Sequence, residues 1–309
     1  MAQLTLRQLR YFDALARAEH FGKAAEACAV TQPALSMQIK ELEEVLGATL
    51  VERGGRQARL SPLGKAVHGR VRDVIQAIDE LQDFSRASQA RLTGRLRIGV
   101  IPTVAPYLLP RIVRAIGAAY PDTDIHLRES LTPTLTEELI DGRIDAALLA
   151  LPVSENALFE LALFDEEFLF VRSGDDADAP VPSADALREM RLLLLEEGHC
   201  FRDQALSFCK LESAAPREVL DASSLSTLVQ MVGAGIGVTL IPEMARDVET
   251  RSANVAVCRF PAPAPKRTIG MVWRRANPLS GQLGDVAALV KEAALARSGV
   301  AGETEPAGS

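Results

Sequence analysis

Three apolar runs, each followed by a stretch with helical spacing, constrain the fold of this chain more than any other feature. Leu96-Arg97-Ile98-Gly99-Val100-Ile101 reads as a strand, and a turn over Pro102–Pro106 leads into a helix from Tyr107 to about Ala119. Ile125–Glu129 is the next expected strand, Thr134–Ile140 a helix and Asp145–Leu151 a third strand. Strand and helix alternating at this spacing predict a parallel α/β body. The pattern resumes with a strand at Glu167–Arg172, an apolar run at Leu192–Leu195, a helical stretch at Ser224–Val232, then Val238–Ile241 and a late strand Thr268–Trp273. The chain is expected to leave one lobe, build a second and return. Lobe I then spans about 91–165 and 268–300, and lobe II about 166–267. Gly233, Gly235 and Gly237 are no dinucleotide fingerprint, because a helix precedes them and a strand follows.

Residues 1–61 have a different texture. Leu6, Leu9, Phe12, Leu15 and Ala16 recur at helical spacing, and a short second helix starts at Phe21 and runs to Cys28. Ala29-Val30 turns the chain. Thr31 fits an N-cap and Pro33 the first helical turn, where a missing N–H does no harm. The third helix turns Leu35, Ile39, Leu42 and Leu46 inward, leaves Thr31, Gln32, Ser36, Gln38 and Lys40 on other faces, and ends at Gly47. The stretches 49–53 and 57–60 flank Gly54-Gly55-Arg56 as a hairpin whose tip carries Arg53 and Arg56. Two packed helices, a tight turn, a polar-faced helix and a basic wing suit a helix-turn-helix placed in a major groove.

Residues 62–90 form the connector. From Pro62, Leu63, Val67, Val71, Val74, Ile78 and Leu81 repeat at three- and four-residue steps, a seam that implies a partner helix and hence a dimer. The helix is expected to loosen into a hinge from Ser85. Net charge over the 309 residues is −7, but residues 1–97 carry 15 Lys/Arg against 11 Asp/Glu. A mildly basic head on an acidic body is compatible with DNA. The N-terminus has no apolar h-region and no apolar run reaches membrane-spanning length, so the expectation is a cytoplasmic chain that enters no membrane. The stretch after about Val300, residues 301–309, is expected to be disordered.

The chain has four cysteines, Cys28, Cys200, Cys209 and Cys258. Cys200 follows a turn and precedes a helical stretch, with His199 and Arg202 beside it, a setting that favours a thiolate. Cys209 lies nine positions on. An unbroken helix would hold the two about 13 Å apart along its axis, whereas a disulfide needs Cα atoms within about 7 Å. Joining them requires the helix to unwind. From the residues alone, inert packing thiols compete with a redox pair. No metal is called for: His199, Cys200 and Cys209 have unusual ligand spacing and no second Cys/His cluster completes a site.

The string FGKAAEACAVTQPALSMQIKELEEVLGATLVERGGRQARLSPLGK resembles the winged helix-turn-helix of LysR-type transcriptional regulators. GRIDAALLAL and MVGAGIGVTLIP are similar to strings of that family's two-lobed, periplasmic-binding-protein-like effector domain. The resemblance implies a helical head (1–61), a dimerisation helix (62–90) and an α/β effector domain (91–300). It places Thr31, Gln32, Pro33, Ser36 and Gln38 on the recognition helix, whose polar face also carries the DNA-binding candidate Lys40, and Arg53 and Arg56 in the wing, against double-stranded promoter DNA. GHCFRDQALSFC closely resembles the redox centre of the peroxide-sensing members, and IPTVAPYLLP their first effector-domain turn. That implies Cys200 as peroxidatic and Cys209 as resolving thiol, with Thr103, Thr132, His199, Arg202, Asp203 and Arg267 shaping the peroxide pocket. It further implies a non-enzymatic activator of oxidative-stress genes without a cofactor, a homodimer or homotetramer that meets RNA polymerase and is reset by thiol reductants. The competing expectation is a family member answering a small metabolite in the effector cleft.

Overall fold

A capping box starts the first helix: Thr5 Oγ1 accepts from the Gln8 N–H at 3.3 Å, and the Gln8 side chain accepts from the Thr5 N–H at 3.0 Å. The computed structural model describes residues 3–52, 58–87, 91–208 and 220–296. Arg53, Arg56, Cys209 and the stretch 301–309 lie outside them. The chain divides into two units, Met1–Ser85 and Arg86–Ser309.

In the first unit, α1 (Leu6–Ala18), α2 (Phe21–Ala27) and α3 (Gln32–Leu46) pack Phe12, Leu15, Leu35, Ile39 and Leu42 into one core. Thr31 caps α3 by accepting from the Ala34 N–H, and Gly47 ends it at φ 64°, a left-handed conformation glycine adopts without strain. The Glu43 carboxylate accepts from the N–H groups of Leu50 and Val51 at 2.8 and 3.0 Å, which aims the chain into β1 (Val51–Glu52). That strand pairs antiparallel with β2 (Arg59–Leu60). A Cβ at Gly64 would stand 2.1 Å from the Leu50 carbonyl oxygen, so only glycine lets the next helix approach the wing.

That helix, α4, runs from Pro62 to Ala87, past the expected loosening at Ser85. Its apolar seam is divided. Val71 is buried and Val67 and Ile75 pack on the head core, while Leu63, Val74, Leu81 and Phe84 stay exposed. The first half therefore covers its own head, and only part of the stripe is left for a partner.

The second unit opens with β3 (Gly94–Val100), α5 (Ala105–Ala119), β4 (Thr123–Glu129), α6 (Thr132–Ile140) and β5 (Ala146–Leu151). β6 (Leu158–Ser173) follows, then α7 (Ala184–Leu187), β7 (Leu193–Leu195) and α8 (Cys200–Phe208). The rest is β8 (Leu220–Ala222), α9 (Leu225–Gly233), β9 (Thr239–Pro242), α10 (Arg246–Glu249), β10 (Val255–Arg259), β11 (Lys266–Arg274) and α11 (Ser280–Leu295). The main sheet has the order β10-β6-β11-β5-β3-β4, with β9 also on β6. β3 is parallel to β4 and β5, but β11 is antiparallel to both β5 and β6. The body is thus mixed rather than parallel throughout. β6 begins at Leu158, nine positions before the expected strand. Its first half pairs with β11 and its second with β9 and β10, so one long strand serves two cores. One core gathers β3, β5, α5, α6 and α11; the other gathers the end of β6, β7, α8, α9 and β9. A small parallel sheet, β7–β8, belongs to the second core.

Candidate functional site: a cysteine between two cores

β7 ends in Glu196-Glu197-Gly198, and Gly198 takes φ +93°. The positive φ calls for glycine, and a Cβ there would lie 3.0 Å from Leu131 Cδ1, a close fit that the leucine side chain would have to yield to. The contact sets this turn against the residue preceding α6. His199 then closes the first turn of α8, its carbonyl accepting from the Arg202 N–H at 2.9 Å. Cys200, the first helical residue, packs against the lobe I core, while Phe201 and Ala205 enter the lobe II core. The thiol stands where the two cores meet.

One residue on, Phe201 carries the guanidinium of Arg267 over its ring, 5.4 Å from the centroid. Arg267 and Glu166 are cross-strand partners on β11 and β6. Arg267 is 3% exposed, and its charge is matched: Nε donates to Glu166 Oε2 at 2.9 Å, and the pair is completed by Nη2 at 2.8 Å. The guanidinium also donates to Thr103 Oγ1 at 2.8 Å and to the Thr103 carbonyl at 3.1 Å. Glu166 accepts in turn from the Met244 N–H at 2.8 Å. Because Thr103 Oγ1 already accepts from Arg267, its own proton points elsewhere, ready to donate. Thr132 begins α6 beside the Gly198 turn, and its buried Oγ1 has no hydrogen-bond partner. Gln204, four positions after Cys200 and so on the same helix face, buries an Oε1 that is equally without one.

The charges near Cys200 differ from the sequence expectation. His199 is buried, and burial pushes its pKa below the ordinary imidazole value, with Glu196 pulling weakly the other way. It is neutral at neutral pH. Arg202 turns back to the Leu195 carbonyl at 2.7 Å and to Asp221 at 2.5 Å. Asp203 is exposed. His199 therefore precedes Cys200 as a buried group without being a cation, and Arg202 is held by the Leu195 carbonyl and Asp221. The charged pair that the fold sets beside α8 is Arg267 and Glu166, with Thr103 bonded to the guanidinium and Phe201 beneath it. Glu166 and Gln204 escaped the sequence reading. Gln204 could have been found from its four-residue step after Cys200; Glu166, in the run DEE, looks like a surface acid.

The two remaining described cysteines lie elsewhere. Cys28 ends α2 in the head core, and burial raises its pKa. Cys258 sits on β10 with an Arg172 N–H 3.4 Å from its sulfur. On the head, Thr31, Gln32, Pro33 and Lys40 are exposed and Ser36 half-buried. Gln38 donates to Glu41 at 2.7 Å, and Lys40 approaches Glu44 at 3.6 Å.

Two family models match the chain: the bacterial regulatory helix-turn-helix of the lysR family over residues 6–65, and the LysR substrate binding domain over 89–295. The chain belongs to the LysR family. It is a LysR-type helix-turn-helix regulator with a periplasmic-binding-like effector domain, and DNA is its partner. Within that family it is 44% identical over 296 residues to a Streptomyces viridosporus protein described as a probable hydrogen peroxide-inducible genes activator, covering 94% of this chain and 95% of that one. It is 38% identical over 291 residues to the Escherichia coli DNA-binding transcriptional dual regulator OxyR, with 93% and 95% covered. Among solved structures, a full-length OxyR variant from Pseudomonas aeruginosa matches with a TM-score of 0.74 and 32% identity, over 98% of this chain and 99% of that one. A hydrogen-peroxide-bound OxyR mutant from Corynebacterium glutamicum matches with a TM-score of 0.66 and 33% identity, over 99% of both chains. Among the described residues of this LysR-type chain, no helix is long and apolar enough to cross a membrane.

Proposed function

We propose that this LysR-type regulator senses hydrogen peroxide through a reversible Cys200–Cys209 disulfide and controls transcription of oxidative-stress genes. The observation that carries the reading is the position of Cys200, at the first residue of α8 and between the two cores, with unpartnered polar atoms of Thr132 and Gln204 nearby. Peroxide offers two hydroxyl donors and two acceptor oxygens, which suits a wall of hydroxyl, amide and guanidinium-backed Thr103 groups. Sulfur of the deprotonated Cys200 attacks one peroxide oxygen; the S–O bond forms, the O–O bond breaks, and hydroxide leaves to become water. The product is a sulfenic acid at Cys200. The Cys209 thiolate then attacks that sulfur, an S–S bond forms and a second water leaves. Two thiols of a cellular reductant return both cysteines to the reduced state. Each cycle consumes one peroxide and waits for reduction; one turnover per reduction with no steady peroxide consumption would exclude a thiol peroxidase. Since α8 spans Cys200–Phe208, the second step requires its unwinding. That would alter the packing of the lobe II core and shift contacts between subunits.

The reading extends to a cytoplasmic homodimer or homotetramer that binds promoter DNA through Thr31, Gln32, Pro33, Ser36, Gln38, Lys40 and the wing arginines Arg53 and Arg56, and that meets RNA polymerase. The deciding experiment is peptide mapping of the reduced protein after one equivalent of hydrogen peroxide. A Cys200–Cys209 disulfide with Cys28 and Cys258 still reduced is expected; a response of bound DNA to peroxide that survives Cys200→Ser would overturn the reading. A metabolite-responsive regulator is favoured by one observation, a cavity of about 400 Å³ lined by Tyr107, Phe164, Glu166, Met244 and Arg246. Saturable binding of a small carboxylate there, with no loss of response in Cys209→Ser, would support that second reading.

A further inference from the structure

The peroxide reading leaves one polar group of the site's own helix unexplained. Thr136 is 9% exposed, and its Oγ1 is buried without a hydrogen-bond partner. Its neighbours on α6, Leu135 and Leu139, are wholly buried in the lobe I core, and a valine would fill the same volume without a stranded hydroxyl. Thr136 lies four positions after Thr132, whose Oγ1 is also buried and unpartnered. Residues at that spacing stack on one helix face with their Cβ atoms about 5–6 Å apart. Two ordinary O–H···O bonds of about 2.8 Å each span that gap through one shared oxygen. Buried hydroxyls this consistently unpaired mark a place for a water, since native proteins rarely leave such groups unmet. The pair leads inward from the mouth of α6, where the Gly198 turn sets the α8 N-terminus against Leu131.

We propose that Thr136 is a positioning residue: with Thr132 it holds a water that delivers the proton needed by the departing peroxide oxygen. This rests on the peroxide reading of Cys200. When sulfur attacks, the O–O pair leaves on the distal oxygen as hydroxide. The Thr132 hydroxyl gives that oxygen its proton and takes one from the water, which recovers a proton through solvent exchange. Atoms and charge balance with one water released per peroxide. Thr136 touches neither peroxide nor sulfur; it fixes the water that recharges Thr132.

The test compares two reactions of the same thiol in the full-length reduced chain. Oxidation by peroxide needs a proton for its leaving group, whereas alkylation by iodoacetamide expels iodide and needs none. Thr136→Val should slow Cys200 oxidation at least about tenfold, less than the roughly 10²–10⁴-fold of a direct proton donor because Thr136 acts through a water. Alkylation should stay within about twofold of the parent, because reaching the thiolate is unaffected. Thr136→Ser, which keeps the hydroxyl, should recover most of the peroxide rate. Equal slowing of both reactions by Thr136→Val would make the effect structural and overturn the proposal, as would an unchanged peroxide rate. If parent Cys200 is inert to peroxide, the sensing reading itself falls and the relay with it. If it reacts and Thr136→Val matches it, only the relay falls.

Discussion

At the residue scale, the site is a set of polar side chains held by burial rather than by net charge. His199 shows the consequence. Its pKa is depressed in the folded chain, foremost by burial, so the unfolded chain takes up a proton more readily. The neutral imidazole contributes stability that is fully present above its unfolded value of about 6.5 and is lost as pH falls below it toward the folded pKa. The reduced protein is therefore expected to lose thermal stability on acidification through this window. His199→Asn should flatten the Tm-against-pH slope just below pH 6.5, and an unchanged slope would refute the assignment. Arg267 and Glu166 illustrate what the sequence displays and what it conceals. Arg267 was marked by resemblance, standing in KRTIGMV. Its partner lies 101 positions earlier and becomes visible only when β6 and β11 pair in register. Gln204 was within reach of helical arithmetic, because a four-residue step from Cys200 fixes its face. Asp203 looked equally close in sequence, but its side chain points to solvent.

At the element scale, α8 is the component that has to change. It is intact from Cys200 to Phe208, which separates the ends by about 12 Å of helical rise. Its stability therefore opposes the disulfide, and weakening the helix should favour the oxidised form. Ser207 is exposed, so replacing it perturbs the helix with little cost to packing. Proline there lacks the N–H and meets the carbonyl four residues back, costing about 3 kcal/mol in a helix interior. Since about 1.4 kcal/mol corresponds to about 30 mV for a two-electron couple, Ser207→Pro should make the potential more negative by about 60 mV. Titration of the Cys200–Cys209 couple in thiol–disulfide buffers measures this. A potential equal to the parent's would mean that α8 need not unwind. Local chemistry made the helices legible: Thr31, Pro33 and Gly47 mark the ends of α3 where the sequence placed them. β6 reads short in the sequence because LFELALFDEE alternates poorly and carries four acids. Those positions are extended because β11 pairs along them, a tertiary cause that no local pattern displays.

At the scale of the whole molecule, the two most exposed large apolar side chains among the described residues, Leu81 and Phe84, both lie on α4. Its seam looked continuous because Leu63, Val67, Val71, Val74, Ile78 and Leu81 follow one helical period. The fold divides that stripe, since Val67, Val71 and Ile75 are used by the head core, whereas Leu81 and Phe84 are about 70% exposed. Large apolar side chains three positions apart on one helix face, with nothing of their own unit over them among the described residues, are most simply covered by the same face of a second copy. A twofold pair of α4 helices would also give two recognition helices, as paired half-sites require. Because neither residue belongs to the head core, Leu81→Asp with Phe84→Asp should leave α1–α3 folded. The doubly substituted chain should shift toward monomer in sedimentation at micromolar concentration. Its affinity for a two-half-site operator should fall at least about a hundredfold, since linking two binding modules is worth about 10²–10⁴, while a single half-site is bound as by the parent. Unchanged sedimentation would move the dimer contact away from α4. Loss of half-site binding as well would show that α4 supports the head fold beyond Ile75, and the division of the seam described above would then be wrong.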